Sequence, residues 1–175
     1  MSRAISFGCK PTDEIYLKHV LPALLNKTKV QTIRPAWKEC DCDKDRLKVC
    51  SPSGIHEKEA GHKPGDECNL FWKMRGGKEW FYTDTGMEAK SIDEVKNMFH
   101  KHLGRVRITK VYKIEMHGDG PIIYKDGKVM LWEDHNALSK RDGFPDIITM
   151  RNWFHKNYSL DTPKQFWVKE FSYVE

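Results

Sequence analysis

The sequence predicts an α+β fold: a small mixed or antiparallel β-sheet curled into a barrel, with helices at its rim. Three observations carry this expectation. Stretches with the two-residue period of strands and stretches with helical period alternate along the chain, in an order whose strands cannot all be parallel neighbours. Glycine turns, "GG" at 76–77 and "DG" at 126–127, interrupt two strand-like stretches in the manner of hairpins. The 175 residues, 39% of them hydrophobic with eight Phe, six Trp and six Tyr, supply the core of one domain and are too few for two comfortable ones.

The first element is a helix within "TDEIYLKHVLPALLNK", residues 12–27. Leu17, Leu21, Leu24 and Leu25 recur there at helical spacing beside Val20, with Thr12 or Asp13 as N-cap. Pro22 removes a backbone donor and crowds the preceding turn, which predicts a bend or a restart. "KVQTIRP", residues 29–35, is rich in β-branched residues and closed by proline, and reads as a strand. Residues 36–66 are charged, turn-rich and aperiodic, an insertion into the domain. "CNLFWKMR" alternates from Cys68 onward and turns toward "KEWFYT" as a hairpin. "SIDEVKNMFHKH", residues 91–102, carries Ser91 and Glu94 as a capping box and Ile92, Val95, Met98 and Phe99 as an apolar stripe. This second helix falls in a further insertion, residues 76–102. "GRVRITKVYKIEM" is the clearest strand, with Val106, Ile108, Tyr112 and Ile114 expected on one face. The turn-rich pair "PIIYKDGKVML" follows, then the helices "EDHNALSKR" and "DIITMRNWFHKNY", and "KQFWVKEFSYV" closes the chain as a strand.

No apolar run reaches the roughly 18 residues of a membrane span, and "MSRAISFGCKPTDE" lacks the apolar stretch of a secretory signal. A cytoplasmic protein without a membrane partner is expected. Five cysteines, an odd number with Cys40 and Cys42 a single residue apart, argue against a disulfide framework and for reduced thiols or a metal. The net charge of +5 permits an anionic partner such as RNA without requiring one.

Cys40, Cys42, Cys50, His56 and His62 bring five metal-ligating side chains together within 23 residues of the first insertion. Structural zinc would give this charged loop a fixed shape through ligation rather than burial. The spacing matches no standard finger, and free surface cysteines are the competing reading. In "FWKMRGGKEWFY" aromatic and basic residues interleave as on surfaces that bind single-stranded RNA. Lys73, Arg75, Lys78 and Trp80 are candidates for that contact, whereas Trp72 is assigned to the core.

The ordered set "QTIRP", "KPGDECNLFWKMR", "LGRVRITKVYKIEM", "KRDGF" and "QFWVKEF" resembles the ASCH family of the PUA-like superfamily, over about residues 12–172. The resemblance implies a PUA-like β-barrel with flanking helices and a cleft for RNA or a modified nucleoside. Some members of that family are amidohydrolases of N4-acetylcytidine, and others are described as ribonucleases. In the amidohydrolase pattern a lysine stands three residues before the threonine of "TIR", and an acid precedes the segment that matches "GF". These positions fall on Lys29, Thr32 and Asp142, the last an aspartate where the amidohydrolases have glutamate.

Amide hydrolysis needs a nucleophile, a base and a donor for the developing oxyanion. Thr32 fits the first role, and Lys29 the second if burial lowers its basicity. Asp142 orients or relays a proton, and Arg34 holds a phosphate or polarises a carbonyl. No cofactor is required for this chemistry. Residues three apart on a regular strand point to opposite faces, so Lys29 and Thr32 can meet only if the strand bulges or Lys29 lies before it. The alternatives are a non-catalytic RNA-binding module, gripping a phosphate or base with the same residues, and a ribonuclease.

Overall fold

The computed structural model describes residues 3–7, 13–39, 55–57, 59–73, 100–120, 122–124 and 127–174. A short strand, β1 (Arg3–Phe7), precedes a π-helical turn (Tyr16–Val20) that runs into helix α1 (Leu21–Leu25). Strands β2 (Gln31–Pro35), β3 (Trp37–Glu39), β4 (Ile55–Glu57), β5 (Glu67–Lys73) and β6 (His100–Met116) follow. The two-residue β7 (Ile123–Tyr124), helices α2 (Trp132–Arg141) and α3 (Ile147–Tyr158) and strand β8 (Lys164–Val174) complete the chain. The α+β class is as expected.

The main sheet has the order β1-β5-β6-β8-β2, with β7 as a short rung on β6. Only β1 and β5 run parallel; every other described pair is antiparallel, so the sheet is mixed. Residues directly opposite each other across a ladder share a face. The register therefore puts Phe7 on β1, Ile108 on β6, Phe171 and Lys169 on β8 and Thr32 and Arg34 on β2 together on one side. The Phe7 ring lies 5.4 Å from Lys29 Nζ and 5.5 Å from the Arg34 guanidinium carbon. The first and last strands of the path thus meet through side chains, and the sheet curls with that face inward. Among the described residues no backbone ladder joins β1 to β2, so the sheet is open along this seam and the expected barrel is not closed.

The long strand departs from its sequence pattern for an identifiable reason. Between Ile108 and Lys110 the β6–β8 register shifts, leaving Thr109 as the extra residue of a bulge. Val106 and Ile108 consequently face inward with Leu70 and Phe171, while Tyr112 and Ile114 face outward with Val168 and Phe166. The single apolar face read from alternation is two half-faces. The strand also begins earlier than expected: His100, Lys101 and His102 pair with Lys73, Trp72 and Phe71, so these three residues of the expected second helix are strand and the second insertion ends before them. "KEWFYT" and residues 91–99 lie outside the described residues.

The outer face is covered by helices. Phe154 of α3 packs edge-on against Phe166 at 5.1 Å, and Trp37 meets the same ring at 5.0 Å. The line of the π turn and α1 that goes inward is Tyr16, Val20 and Leu24, while Leu25, expected in the apolar stripe, is 48% exposed. Asp13 holds the start of this helix, as its Oδ1 accepts from Tyr16 N and its Oδ2 from Trp153 Nε1 at 2.6 Å. Pro22 falls where the π turn gives way to α-helix, the restart that proline predicts. The first insertion is anchored at both ends: β3 pairs with β4, Gly65 N donates to Ile108 O, and Ile108 N to Asp66 O. Cys68 is buried in β5.

α3 starts where its sequence says it does. Asp146 accepts from Thr149 N at 2.7 Å, and that bond first, then the Thr149 hydroxyl, holds its carboxyl below the ordinary carboxylate value. A depressed carboxylate contributes stability that is present above the unfolded value and is lost as pH falls through the folded one. Asp146→Ala is expected to cost about 1 kcal/mol at neutral pH, and the deficit should shrink on acidification through the carboxylate range. Urea unfolding at neutral and acid pH checks both; an equal deficit at the two pH values would remove the cap from the account.

Candidate functional site

The segment between α1 and β2 is clamped by backbone bonds from three directions. Lys29 N donates to Ala23 O on α1, Val30 N donates to Arg141 O at the end of α2, and Phe171 N on β8 donates to Val30 O. The Tyr173 hydroxyl, its pKa pushed up to about 12 by burial, donates to Lys29 O at 3.1 Å. Lys29 therefore lies in the loop before β2 rather than on the strand.

From this position the Lys29 side chain runs to the C-terminus of α2. Its Nζ donates to Asp142 Oδ1 at 2.5 Å and to the Asp142 main-chain carbonyl. Both residues are buried, Lys29 at 2% exposure and Asp142 at 4%. The aspartate, one methylene shorter than glutamate, is met by the lysine through side chain and backbone together. Gly143 makes the approach possible. Its φ of +90° suits glycine, and a Cβ there would lie 3.2 Å from Ala23 Cβ, 3.3 Å from Val20 Cα and 3.6 Å from Lys29 Cδ.

Burial sets the electrostatics of the pair. It pushes the Lys29 amine below its ordinary value, against the pull of the Asp142 charge and hydrogen bond, and Arg34 pushes the same way. Burial likewise raises the Asp142 carboxyl, opposed by Lys29, Arg34 and the Ile33 N–H. Desolvation works on both members, so moving the proton off Lys29 costs less here than in water.

Beside this pair lies a cleft of about 190 Å³, lined by β1, β2, β8 and the end of the first insertion. Thr32 and Arg34 face it from β2, Lys169 and Trp167 from β8, and Glu59 and His62 from the insertion. Thr32 stands directly opposite Lys169, and Arg34 opposite Trp167, so each pair has its Cβ atoms about 5 Å apart. Lys169 is 8% exposed, and its Nζ lies 3.0 Å from His62 Nδ1. An ammonium at that distance donates to a neutral imidazole, which holds the lysine head in place on the cleft wall.

Of the residues singled out in the sequence, Lys29 and Asp142 are joined, and Thr32 and Arg34 line the adjoining cleft. Arg34 links the two groups, since it faces the cleft while its charge acts on both Lys29 and Asp142. His62, read as a metal ligand, is hydrogen-bonded to Lys169. His56 lies on β4 opposite Lys38, and Lys73 on β5 opposite His100. Cys40, Cys42, Cys50, Arg75, Lys78 and Trp80 lie outside the described residues. Among the described residues no group of three or more His, Cys, Asp or Glu side chains is placed to hold a metal ion. Lys169, Trp167 and Glu59 are cleft residues that the sequence did not single out. Lys169 and Trp167 stood within "FWVKEF", but their place at the site depends on which strand pairs with β2.

The fold and cleft define a class in physical terms: an α+β protein with an open, inward-curled mixed sheet and a buried Lys–Asp pair beside a polar cleft at its seam. No protein-family model matches the chain, and neither does any curated protein or solved structure. No described helix is long and apolar enough to cross a membrane.

Proposed function

We propose that the cleft takes a small amide-bearing ligand, an acylated nucleoside of the N4-acetylcytidine kind, and that Thr32 attacks its amide carbonyl on a PUA-like, ASCH-type scaffold. The observation that carries this reading is the buried Lys29–Asp142 pair set beside the cleft face that bears Thr32 and Arg34. A volume of about 190 Å³ is below the ~300–1,000 Å³ of sites for drug-sized ligands. It suits a group of about one heterocycle.

In the reacting form the proton of the pair lies on Asp142 and Lys29 is a neutral amine. Thr32 Oγ then bonds to the carbonyl carbon, the Thr32 proton passes to the Lys29 amine, and the carbonyl π pair moves onto oxygen. Arg34 and Lys169 are the cations that face this oxyanion. The tetrahedral carbon then expels the amine nitrogen, which takes the proton from Lys29. Water repeats the sequence on the acyl-threonine ester, releasing carboxylic acid and free Thr32. Amide and water become amine and acid, with no change in oxidation state.

Lys169→Met is expected to lower kcat by about a hundredfold, the usual cost of losing one oxyanion donor, with KM nearly unchanged. His62→Ala should give a smaller loss of the same kind. A change confined to KM would make Lys169 a ground-state contact instead.

The presence of two cations on the cleft wall favours a second reading, in which Arg34 and Lys169 grip an RNA phosphate or base without chemistry. Mass spectrometry of N4-acetylcytidine incubated with the protein separates the two. Conversion to cytidine by the wild type and not by Thr32→Ala is expected. A folded wild type that leaves the nucleoside intact would defeat the hydrolytic reading, and binding of single-stranded RNA would then be measured.

A further inference from the structure

Asp142 meets Lys29 because the last turn of α2 lies against the start of β2, and a buried side chain outside the cleft fixes that contact. Gln31 precedes Thr32 on β2, and neighbours on a strand point to opposite faces. Thr32 faces the cleft, whereas Gln31 is fully buried on the helix-covered side. Its Nε2 donates to Leu138 O on α2 at 3.2 Å, and its Oε1 accepts from Arg141 Nε at 3.2 Å. One amide thus bonds two residues of the same helical turn.

The carbonyls that end a helix need partners from outside its own ladder. In α2, Ser139 O accepts from Phe144 N, Lys140 O from Gly143 N and Arg141 O from Val30 N at 3.1 Å. The Asp142 carbonyl accepts from Lys29 Nζ, and Leu138 O from Gln31. Lys29, Val30 and Gln31, three consecutive residues, therefore all donate into the end of one helix. Arg141 carries the tie onward to β8: its Nη2 lies 3.7 Å from Oε1 of Glu170, the residue opposite Gln31 in the ladder. From β6, the Tyr112 hydroxyl donates to the same oxygen at 3.0 Å, and Lys110 Nζ lies 3.8 Å from Glu170 Oε2. An apolar side chain would fill the place of Gln31 without taking an amide out of water, which is costly unless the amide is bonded. What the amide adds is a fixed position of the helix end along the strand.

We infer that Gln31 is a positioning residue for the Lys29–Asp142 pair: by tying the last turn of α2 to β2 it sets how the Asp142 carboxyl approaches the Lys29 amine. It points away from the cleft and acts through the helix end. Its bearing on turnover rests on the reading of Lys29 as the base, and its bearing on the pair does not.

The test is a titration of the Asp142 carboxyl ¹³C and Lys29 ¹⁵Nζ resonances by NMR in the wild type and in Gln31→Met, which keeps the length and loses both bonds. Burial is the largest cause of the shift in each member of the pair, opposed at Asp142 by Lys29, Arg34 and the Ile33 N–H. A loosened contact admits water, so both groups should move toward their ordinary values, the carboxyl down and the amine up. Turnover of N4-acetylcytidine should fall about tenfold to a hundredfold in kcat, the scale of a displacement of about an ångström, with KM nearly unchanged. Asp146→Ala weakens the fold at α3 instead and should leave the Asp142 titration as in the wild type. Should Gln31→Met not fold, Arg141→Met, at a side chain 39% exposed, removes one of the two bonds and should move the pair the same way by less. An Asp142 titration unmoved in the variant that folds overturns the inference, as does one moved equally by Asp146→Ala. A titration that moves in a protein whose wild type has no turnover upholds the positioning and counts against the hydrolytic reading alone.

Discussion

Asp142→Ala is expected to destabilise the protein by about 3–5 kcal/mol, the usual cost of leaving one member of a buried ion pair uncompensated. For a chain of this size each kcal/mol moves Tm by about 2–4 °C, so the loss should be plain in a thermal melt. The reason lies in the balance of two opposing effects. Taking an ammonium and a carboxylate out of water costs several kcal/mol per ion, and their attraction at 2.5 Å offsets this only while both are present. With the carboxylate gone, Lys29 keeps its desolvation and retains only the Asp142-position carbonyl as acceptor. Asp142→Leu combined with Lys29→Met removes both charges and should recover most of the loss, since apolar replacements of buried pairs are often neutral or better. A single Asp142→Ala variant that melts with the wild type would show that the pair is hydrated in solution and remove it from the account of the site.

Thr32→Ala is expected to reduce turnover of N4-acetylcytidine by about a thousandfold or more, as loss of a nucleophile does elsewhere, while binding and Tm change little. The substitution removes only a hydroxyl and a methyl at a site 3% exposed, so the larger effect should fall on kcat. Thr32→Ser, which keeps the hydroxyl, should retain measurable turnover. Lys29→Met should abolish turnover too, but with a stability loss like that of Asp142→Ala, because it strands the carboxylate. The contrast matters: a nucleophile is silent in stability and a buried base is not. Turnover that persists in Thr32→Ala would move the attack to another group, with water activated by Lys29 the first to examine.

Local chemistry explains which elements were legible before the structure. α3 could be read because Asp146 caps it and Ile147, Met150 and Phe154 repeat at helical spacing. β8 covers the expected residues 164–174. β2 likewise followed from its proline and β-branching, but whether the strand bulges or Lys29 lies before it was left open by the sequence and settled by the structure. β1 was not read: five residues carry too little periodicity, and it becomes a strand through its parallel partner β5. The bulge at Thr109 was not read: "VRITKVYKI" follows period two for most of its length, with Lys110 and Val111 out of step, and the pairing with Phe171 and Glu170 shows the extra residue.

The site divides the same way. The stretch "KVQTIRP" drew attention to Lys29, Thr32 and Arg34, an amine, a hydroxyl and a cation in a proline-closed strand, whereas Asp142 was singled out only by the resemblance to a family pattern. That Lys29 reaches Asp142 across 113 positions, that Lys169 faces Thr32, and that His62 holds Lys169 were decided by the tertiary structure. Short-range steric and hydrogen-bonding preferences act within a few residues and set helix, strand and cap. Which buried polar groups come to share a cleft depends on how the sheet curls and which strands pair, and that is settled by packing over the whole chain.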